Sequence, residues 1–519
     1  MPATGYYQNK QLPATPRLDT HDAISKSFAS GSSSEPASAR TPASATATTP
    51  HFSTATFPSG RAPQYAAMFP ELAGNAKAFT THGAFPRAES VSSISGATTM
   101  STRTMLSSEQ PSSADLAAQQ LRPFVIRNGR TFISDPSLPY PLPVDLEELH
   151  RQSLRTLLLM QLFCSPICSP DFADKPPRRV LEIGCGSGFW SKMCYRHYEA
   201  MGLAKGISFT GIDVAPVAPS TSGLSDLDAD QSLAVDGTQD WWHFVQHDLR
   251  KLPLPFRDGE FDLVMVKDMS LATTTAMQQP LMDEYLRVLM PGGTIEIWES
   301  DHTLRMLRPH VPESAATGAS GEGDSDASSS EDDHREATSI GAYAMTANTP
   351  LSAPLNNFLV DYNSWLSKVL ERMSLCPVPC TLMGPMLVQE AETLTAVGNR
   401  RLAVPLSEVR WEREGVGGVV TKDGKSYIET KGRRSGKESA PTGTALEPVA
   451  AARRRTALLT VVQMIQSLEH VLREVSGKSQ DEWDGWLGKA MNNLVKENGT
   501  SWGECLEVGA WWAKKRASP

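Results

Sequence analysis

The chain has 519 residues, with 49 basic and 58 acidic side chains and a formal net charge of −9. That balance excludes a protein whose main business is holding nucleic acid, because phosphate binding requires a basic footprint. No uninterrupted apolar run approaches the ~18 residues of a membrane span, so no membrane partner is expected. The odd count of seven cysteines suits free thiols in a reducing compartment, and a cytoplasmic or nuclear location is expected.

Residues 1–121 are rich in Ser, Thr, Ala and Pro, and their bulky apolar side chains follow no period of 2 or 3.6. Such a segment cannot bury enough surface to offset its chain entropy. It is expected to be a disordered tail, available to a protein partner. Residues 122–519 are expected to form one large domain with two disordered insertions. The first, at about 312–345, is acidic and rich in Ser and Gly. The second, at about 414–453, holds Lys431, Arg433, Arg434 and Lys437 and reads either as a solvated basic loop or as a localisation or docking patch.

The first helix is expected over Asp145–Leu162. Next, Arg178–Trp190 reads RRVLEIGCGSGFW. Val180, Leu181 and Ile183 suit a buried parallel strand, Gly184, Gly186 and Gly188 follow at once, and Phe189–Met201 has helical character. Strand, glycine loop and helix make the first unit of a doubly wound sheet, with its ligand crevice at the strand's carboxyl end. A dinucleotide fingerprint needs G-x-G-x-x-G, but Phe189 stands at the third glycine position, which disfavours a nicotinamide cofactor. The acid before the loop, Glu182, would suit a cationic ligand better than a pyrophosphate.

The next strand, Ile207–Val214, ends in Asp213, where an acid accepts hydrogen bonds from ribose hydroxyls in this class of sheet. A helix or turn cap is the plainer role for the same carboxylate. A third strand, Trp242–Gln246, leads to Asp248 and Leu249. Asp258-Gly259-Glu260 turns into a buried strand, Phe261–Val266, which Lys267 and Asp268 close at the same edge. Tyr285–Trp298 holds a helix end, a Pro-Gly-Gly turn and a further strand. Apolar stripes at helical spacing mark Leu355–Leu375, Thr456–Val475 and Asp481–Val495 as helices, chiefly core and in part a substrate wall.

LEIGCGSGFW, FTGIDVAP, FVQHDL, LPFRDGEFDLVMVKD and RVLMPGGTIEIWE, in that order, resemble the successive motifs of class I S-adenosylmethionine-dependent methyltransferases. The whole chain more loosely resembles a fungal group that includes LaeA-like methyltransferases, through its long tail and its ending at Glu504–Lys515. The resemblance implies an α/β fold with a doubly wound, mostly parallel seven-stranded sheet, and S-adenosyl-L-methionine as cofactor. It further implies that Glu182 holds the methionine amino group and that Gly184, Cys185, Gly186, Ser187 and Gly188 form the cofactor loop. Asp213 would bind the ribose, Asp248 and Leu249 the adenine, and Lys267 and Asp268 would sit near the sulfonium and the substrate.

Methyl transfer is a one-step displacement that needs alignment and exclusion of water, and a general base only when the nucleophile arrives protonated. Candidate bases lie in Glu299-Ser300-Asp301-His302, with His302 and Asp268 the leading catalytic candidates. Arg305, Arg308 and His310 could grip an anionic substrate, or form one exposed basic face. Cys164 and Cys168, like Cys376 and Cys380, are spaced C-x3-C; buried thiols are expected there and no metal site. The acceptor is a small molecule or a protein side chain. A methyltransferase fold serving as a regulatory or interaction protein with little turnover is the alternative.

Overall fold

The computed structural model describes residues 123–218, 241–308, 336–346, 349, 351–413 and 446–517. The expected tail, the stretch after Ala218 and the bulk of both expected insertions lie outside the described residues. A small antiparallel hairpin, β1 (Phe124–Arg127) and β2 (Arg130–Ile133), precedes α1 (Leu146–Phe163). Asp145 caps α1 by accepting from the Glu148 N–H at 3.1 Å, and a bidentate ion pair with Arg130 ties that cap to the hairpin. The alternation then runs β3 (Arg179–Ile183), α2 (Phe189–Ala200), β4 (Ser208–Asp213), β5 (Trp242–Gln246), β6 (Phe261–Lys267), α3 (Thr275–Val288) and β7 (Leu289–Ser300). Short strands β8 (Arg305–Leu307), β9 (Tyr343–Ala344) and β10 (Leu351–Ser352) follow. Then come α4 (Asn357–Arg372), α5 (Met383–Gln389), β11 (Leu394–Pro405), α6 (Arg410–Arg413), α7 (Pro448–Ser467), α8 (Glu469–Ser476), α9 (Gln480–Met491) and β12 (Glu504–Lys515).

Seven strands form the main sheet in the order β5-β4-β3-β6-β7-β12-β11, as the doubly wound expectation required. The pairs from β5 to β7 are parallel, and β12 runs antiparallel to both β7 and β11. The short β8, β9 and β10 bring the sheet to ten strands. Strand order reverses at β3, which has β4 on one side and β6 on the other, so the ligand crevice of this topology opens above their carboxyl ends.

Strand alternation sorts the core into two layers. Val180, Phe209, Leu263 and Trp298 face a cluster that includes α1, α4 and α7 residues. Leu181, Ile212, Val264 and Ile297 face the other, with Leu281 of α3 and Leu387 of α5. The ten leading residues of β12 are all buried, which suits a strand enclosed between two neighbours and covered on both faces.

The edges of the expected insertions need correction. Residues 336–345, assigned to the first, belong to the folded body, with Ala337 and Ala342 buried and β9 paired to β11. Residues 448–453, assigned to the second, belong to α7, which starts at Pro448 rather than near Thr456. Arg454 is the physical reason for both shifts. It is buried, donates to the Gly341 carbonyl at 2.7 Å, and holds Glu412 of α6 through two hydrogen bonds of 2.6 and 2.8 Å. One guanidinium therefore joins the ends of both segments.

Candidate functional site

The loop from β3 to α2 bends through three glycines in the left-handed region, with φ of 60° at Gly184, 52° at Gly186 and 69° at Gly188. Their roles differ. A side chain on Gly188 would meet the Trp242 ring at 2.8 Å, and one on Gly184 would meet the Met269 sulfur at 2.1 Å. At Gly186 the nearest atom is Gln152 Oε1, at 3.4 Å. Gly184 and Gly186 line the large pocket at the crevice, whereas Cys185, Ser187 and Gly188 do not. The Cys185 thiol faces Gly211 and is buried, and burial raises its pKa well above that of a free thiol.

Glu182 departs from its expected place. The same alternation that buries Leu181 and Ile183 on one face turns Glu182 to the other. There its carboxylate accepts from Ser191 Oγ at 2.6 Å and from Ser191 N at 3.3 Å, at the start of α2. It is 2% exposed and absent from the pocket wall. Burial raises its pKa to about 7, against the Ser191 hydrogen bond and the charge of Lys267.

Asp213 does line the pocket. Its two carboxylate oxygens accept from Gly186 N and Ala215 N, both at 2.9 Å, so it shapes the glycine loop and makes a tight local turn. Burial raises its pKa despite those bonds. Each oxygen keeps a lone pair, which leaves Asp213 able to accept from a ligand's hydroxyls. Asp248 and Leu249 line the same wall. Arg250 grips Asp248 in bidentate fashion at 2.8–3.2 Å and reaches Asp135 and Ser137, pinning the segment before α1 over the crevice. Hydrogen bonds from Arg250 hold the Asp248 carboxyl below its ordinary range.

At the ends of β6 and β7 the charges are densest. Asp268 adopts φ 56°, accepts twice from Arg155 at 2.8 and 3.0 Å, and accepts from Lys267 at 3.0 Å. Burial opposes its charge, but Arg155 and Lys267 overcome burial and hold its pKa well below the usual carboxylate range. Asp268 thus lies in the pocket as expected, but as a permanently ionised anchor for Arg155 rather than a base. His302 also lines the pocket. Its Nε2 lies 2.8 Å from Ser270 Oγ, which in turn donates to Glu299 at 2.7 Å. Burial, aided by the charges of Arg155 and Arg151, lowers the pKa of His302 to about 3. The imidazole is neutral at physiological pH and only weakly basic, which corrects its expected standing as a ready general base.

Several site residues escaped the sequence reading. Arg151, Gln152 and Arg155 project from α1, which was expected only to cover the cofactor's outer side, and Arg250 lies just past the β5 motif. The signal on α1 was present: Glu148, Arg151, Gln152 and Arg155 fall at i, i+3, i+4 and i+7, on the face that also buries Leu158, Leu159 and Leu162. Charges on the buried face of a helix ask for a partner, and here they find one another and Asp268. Arg305 does not join the site, because it is engaged by Asp301 and Glu507. Arg308 is exposed, and His310 lies outside the described residues. Six of the seven cysteines are buried, and among the described residues no group of three or more potential metal ligands stands together.

Residues 180–293 match the family model described as a methyltransferase domain. That span runs from β3 into β7 and includes the glycine loop, Asp213, Asp248 and Asp268. A curated protein of Oryza sativa subsp. japonica, named "Probable tocopherol O-methyltransferase, chloroplastic", is 32% identical over 128 residues, 25% of this chain and 30% of its own length. The chain thus spans about a third of that relative. Among solved structures, an N-methyltransferase NodS from Bradyrhizobium japonicum WM9, in complex with S-adenosyl-L-homocysteine, is 19% identical. It covers 31% of this chain and 64% of its own, with a TM-score of 0.19. The Haemonchus contortus protein named "Phospholethanolamine N-methyltransferase 2" is 11% identical and covers 74% of this chain and 62% of its own, with a TM-score of 0.26.

Proposed function

We propose that the protein is an S-adenosyl-L-methionine-dependent methyltransferase. The observation that carries this reading is the crevice at the β3 switch point, where the Gly184–Gly186 backbone and the Asp213 carboxylate face one pocket. The residues fit the cofactor. Gly186 lines the pocket with its backbone, with Gln152 Oε1 at 3.4 Å from where a side chain would start, Asp213 offers two acceptors for ribose hydroxyls, and Leu249, Ala215 and Val217 form an apolar wall for a purine near Asp248. When bound, the cofactor supplies a methyl group already activated by a sulfonium leaving group.

The chain's own residues then have three tasks. The backbone of the glycine loop and Asp213 orient the donor. The segment pinned by Arg250, together with α1, closes over the pocket and excludes water. Arg155, fixed by Asp268 and Ser300, and His302, fixed by Ser270, position the acceptor. Glu182 sits behind the loop and in this reading holds the start of α2 through Ser191 rather than contacting the ligand. The acceptor, a small molecule or a protein side chain, the fungal LaeA-like kinship, and a cytoplasmic or nuclear location with a protein partner on the N-terminal segment belong to the same proposal.

The test is transfer of radiolabelled methyl from the donor into a cell extract by the full chain, with Asp213→Ala as control. Labelled product that disappears with the variant supports an enzyme. Donor binding without any labelled product supports the alternative, a regulatory protein on the same fold.

A further inference from the structure

Beside the main pocket a smaller cavity opens, sharing Arg151, Arg155, His302 and Met464 with it and adding Tyr362 of α4 and Thr460 of α7. Arg151 and Arg155 are 4% and 6% exposed. Each guanidinium is only partly used. Arg151 engages Glu148 through Nε and Nη2, and Arg155 engages Asp268 and Ser300 through Nε and Nη2. Neither Nη1 has a hydrogen-bond partner among the described residues, neither is sealed from the surroundings, and both residues line the main pocket and the cavity. The Tyr362 hydroxyl is in the same position: the residue is 2% exposed, lines the cavity and makes no hydrogen bond among the described residues.

Buried donors are normally satisfied, and a buried arginine with a free Nη1 calls for an acceptor. Arg151, Arg155 and Lys267 stand against Glu148 and Asp268, and the cavity's own acid, Asp301, is held by Arg305. Around these donors the wall carries Ser300, Asp301 and Thr460 as well as the apolar Leu304, Val461 and Met464.

We infer that this cavity and the adjoining end of the main pocket form the acceptor subsite, which takes a small apolar molecule as its oxyanion, a carboxylate or an ionised phenol or enol; the anionic oxygen enters the cavity, held by Nη1 of Arg151 and Arg155 and by the Tyr362 hydroxyl, and the apolar body lies in the main pocket. This rests on the methyltransferase reading above. An acceptor bound as its anion needs no general base. The oxygen's electron pair forms the new C–O bond, the C–S bond breaks with its pair passing to the sulfonium sulfur, and no proton has to leave. Guanidinium groups also favour the ionised form of a weakly acidic hydroxyl.

The experiment titrates the full chain calorimetrically with 2-naphthoate, 4-nitrophenolate and the neutral 2-naphthamide, with and without saturating S-adenosyl-L-homocysteine. At least one anion should bind ten-fold or more tighter than the amide. Tighter naphthoate assigns a carboxylate acceptor, and tighter nitrophenolate an ionised hydroxyl. Arg155→Lys and Arg151→Lys, which keep the charge but lose the fork, should weaken the anion at least five-fold. Tyr362→Phe removes only an unpartnered oxygen, so its melting temperature should hold while anion affinity falls about three- to ten-fold, which covers the case in which an arginine variant fails to fold. Equal affinity for amide and anions, or unchanged anion affinity in Tyr362→Phe, overturns the inference. Failure of S-adenosyl-L-homocysteine to bind while the anions do would instead sink the methyltransferase reading and leave the anion subsite standing.

Discussion

Glu182→Gln separates the two roles open to the acid behind the glycine loop. Glu182 is 2% exposed, and burial lifts its pKa from 4.5 to about 7. A carboxyl whose folded pKa is raised contributes stability that is complete below the unfolded pKa and is lost as pH rises through the folded one. Each pKa unit corresponds to about 1.4 kcal/mol, so a shift of this size makes ionisation of Glu182 cost about 3 kcal/mol between pH 4.5 and 8. Glutamine keeps the shape and can still accept from Ser191, but does not ionise. Wild type and variant should therefore be equally stable near pH 4.5, and the variant should be more stable by up to about 3 kcal/mol at pH 8. Urea denaturation of both proteins across that range measures the gap. Parallel stability curves at all pH values would refute the reasoning, because they would mean that Glu182 titrates normally. The same pair tests contact with the cofactor. A cation brought against a half-protonated carboxylate expels a proton, so titration at pH 7 in buffers of different ionisation enthalpy should detect proton release in wild type only if Glu182 touches the ligand. The geometry predicts little release.

Three further outcomes follow from the site. Gly188→Ala should lose about 2–4 kcal/mol of stability, from left-handed strain and the clash with Trp242, whereas Gly186→Ala should lose only the strain, about 1–2 kcal/mol, but weaken cofactor binding; denaturation and calorimetry together separate the two. Asp268→Asn keeps a residue that tolerates φ 56° and removes only the charge between Arg155 and Lys267, so it should destabilise by about 2–4 kcal/mol at pH 7. Because the folded pKa of Asp268 is depressed, that gap should close as pH falls below about 4, which acid titration of both proteins would reveal. Arg250→Gln cuts the ties to Asp248, Asp135 and Ser137, and should raise amide hydrogen exchange across residues 130–145 while β3, β6 and β7 stay protected.

The parallel half of the sheet was legible because its strands are short apolar runs ending in acids or glycines, a local pattern that survives any tertiary context. Trp242–Gln246 was read to the residue, Ile207–Val214 to within one residue at each end, and Phe261–Val266 to within one residue at its carboxyl end. Asp213 was legible for the same reason, since the end of β4 fixes where it must stand. Glu182 was misplaced because sequence order gives its position along β3 but not the consequence of alternation, which turns it toward Ser191. His302 and Asp268 were placed in the pocket but given the wrong chemistry. Their protonation depends on Arg151 and Arg155, which reach them from α1, well over a hundred residues away in the chain. The folded ends of the insertions were hidden for a similar reason, because Arg454 organises them through partners at 341 and 412.

The central claim, that the crevice above β3 holds S-adenosyl-L-methionine through Asp213, is tested most directly by calorimetric titration of the full chain and of Asp213→Ala with S-adenosyl-L-homocysteine, with a nicotinamide dinucleotide as competitor. The account predicts saturable one-to-one binding, weakened in the variant by about 1–3 kcal/mol, the loss of one partner of buried hydrogen bonds, and unaffected by the dinucleotide. Absence of binding, equal affinity in the variant, or displacement by the dinucleotide would contradict it.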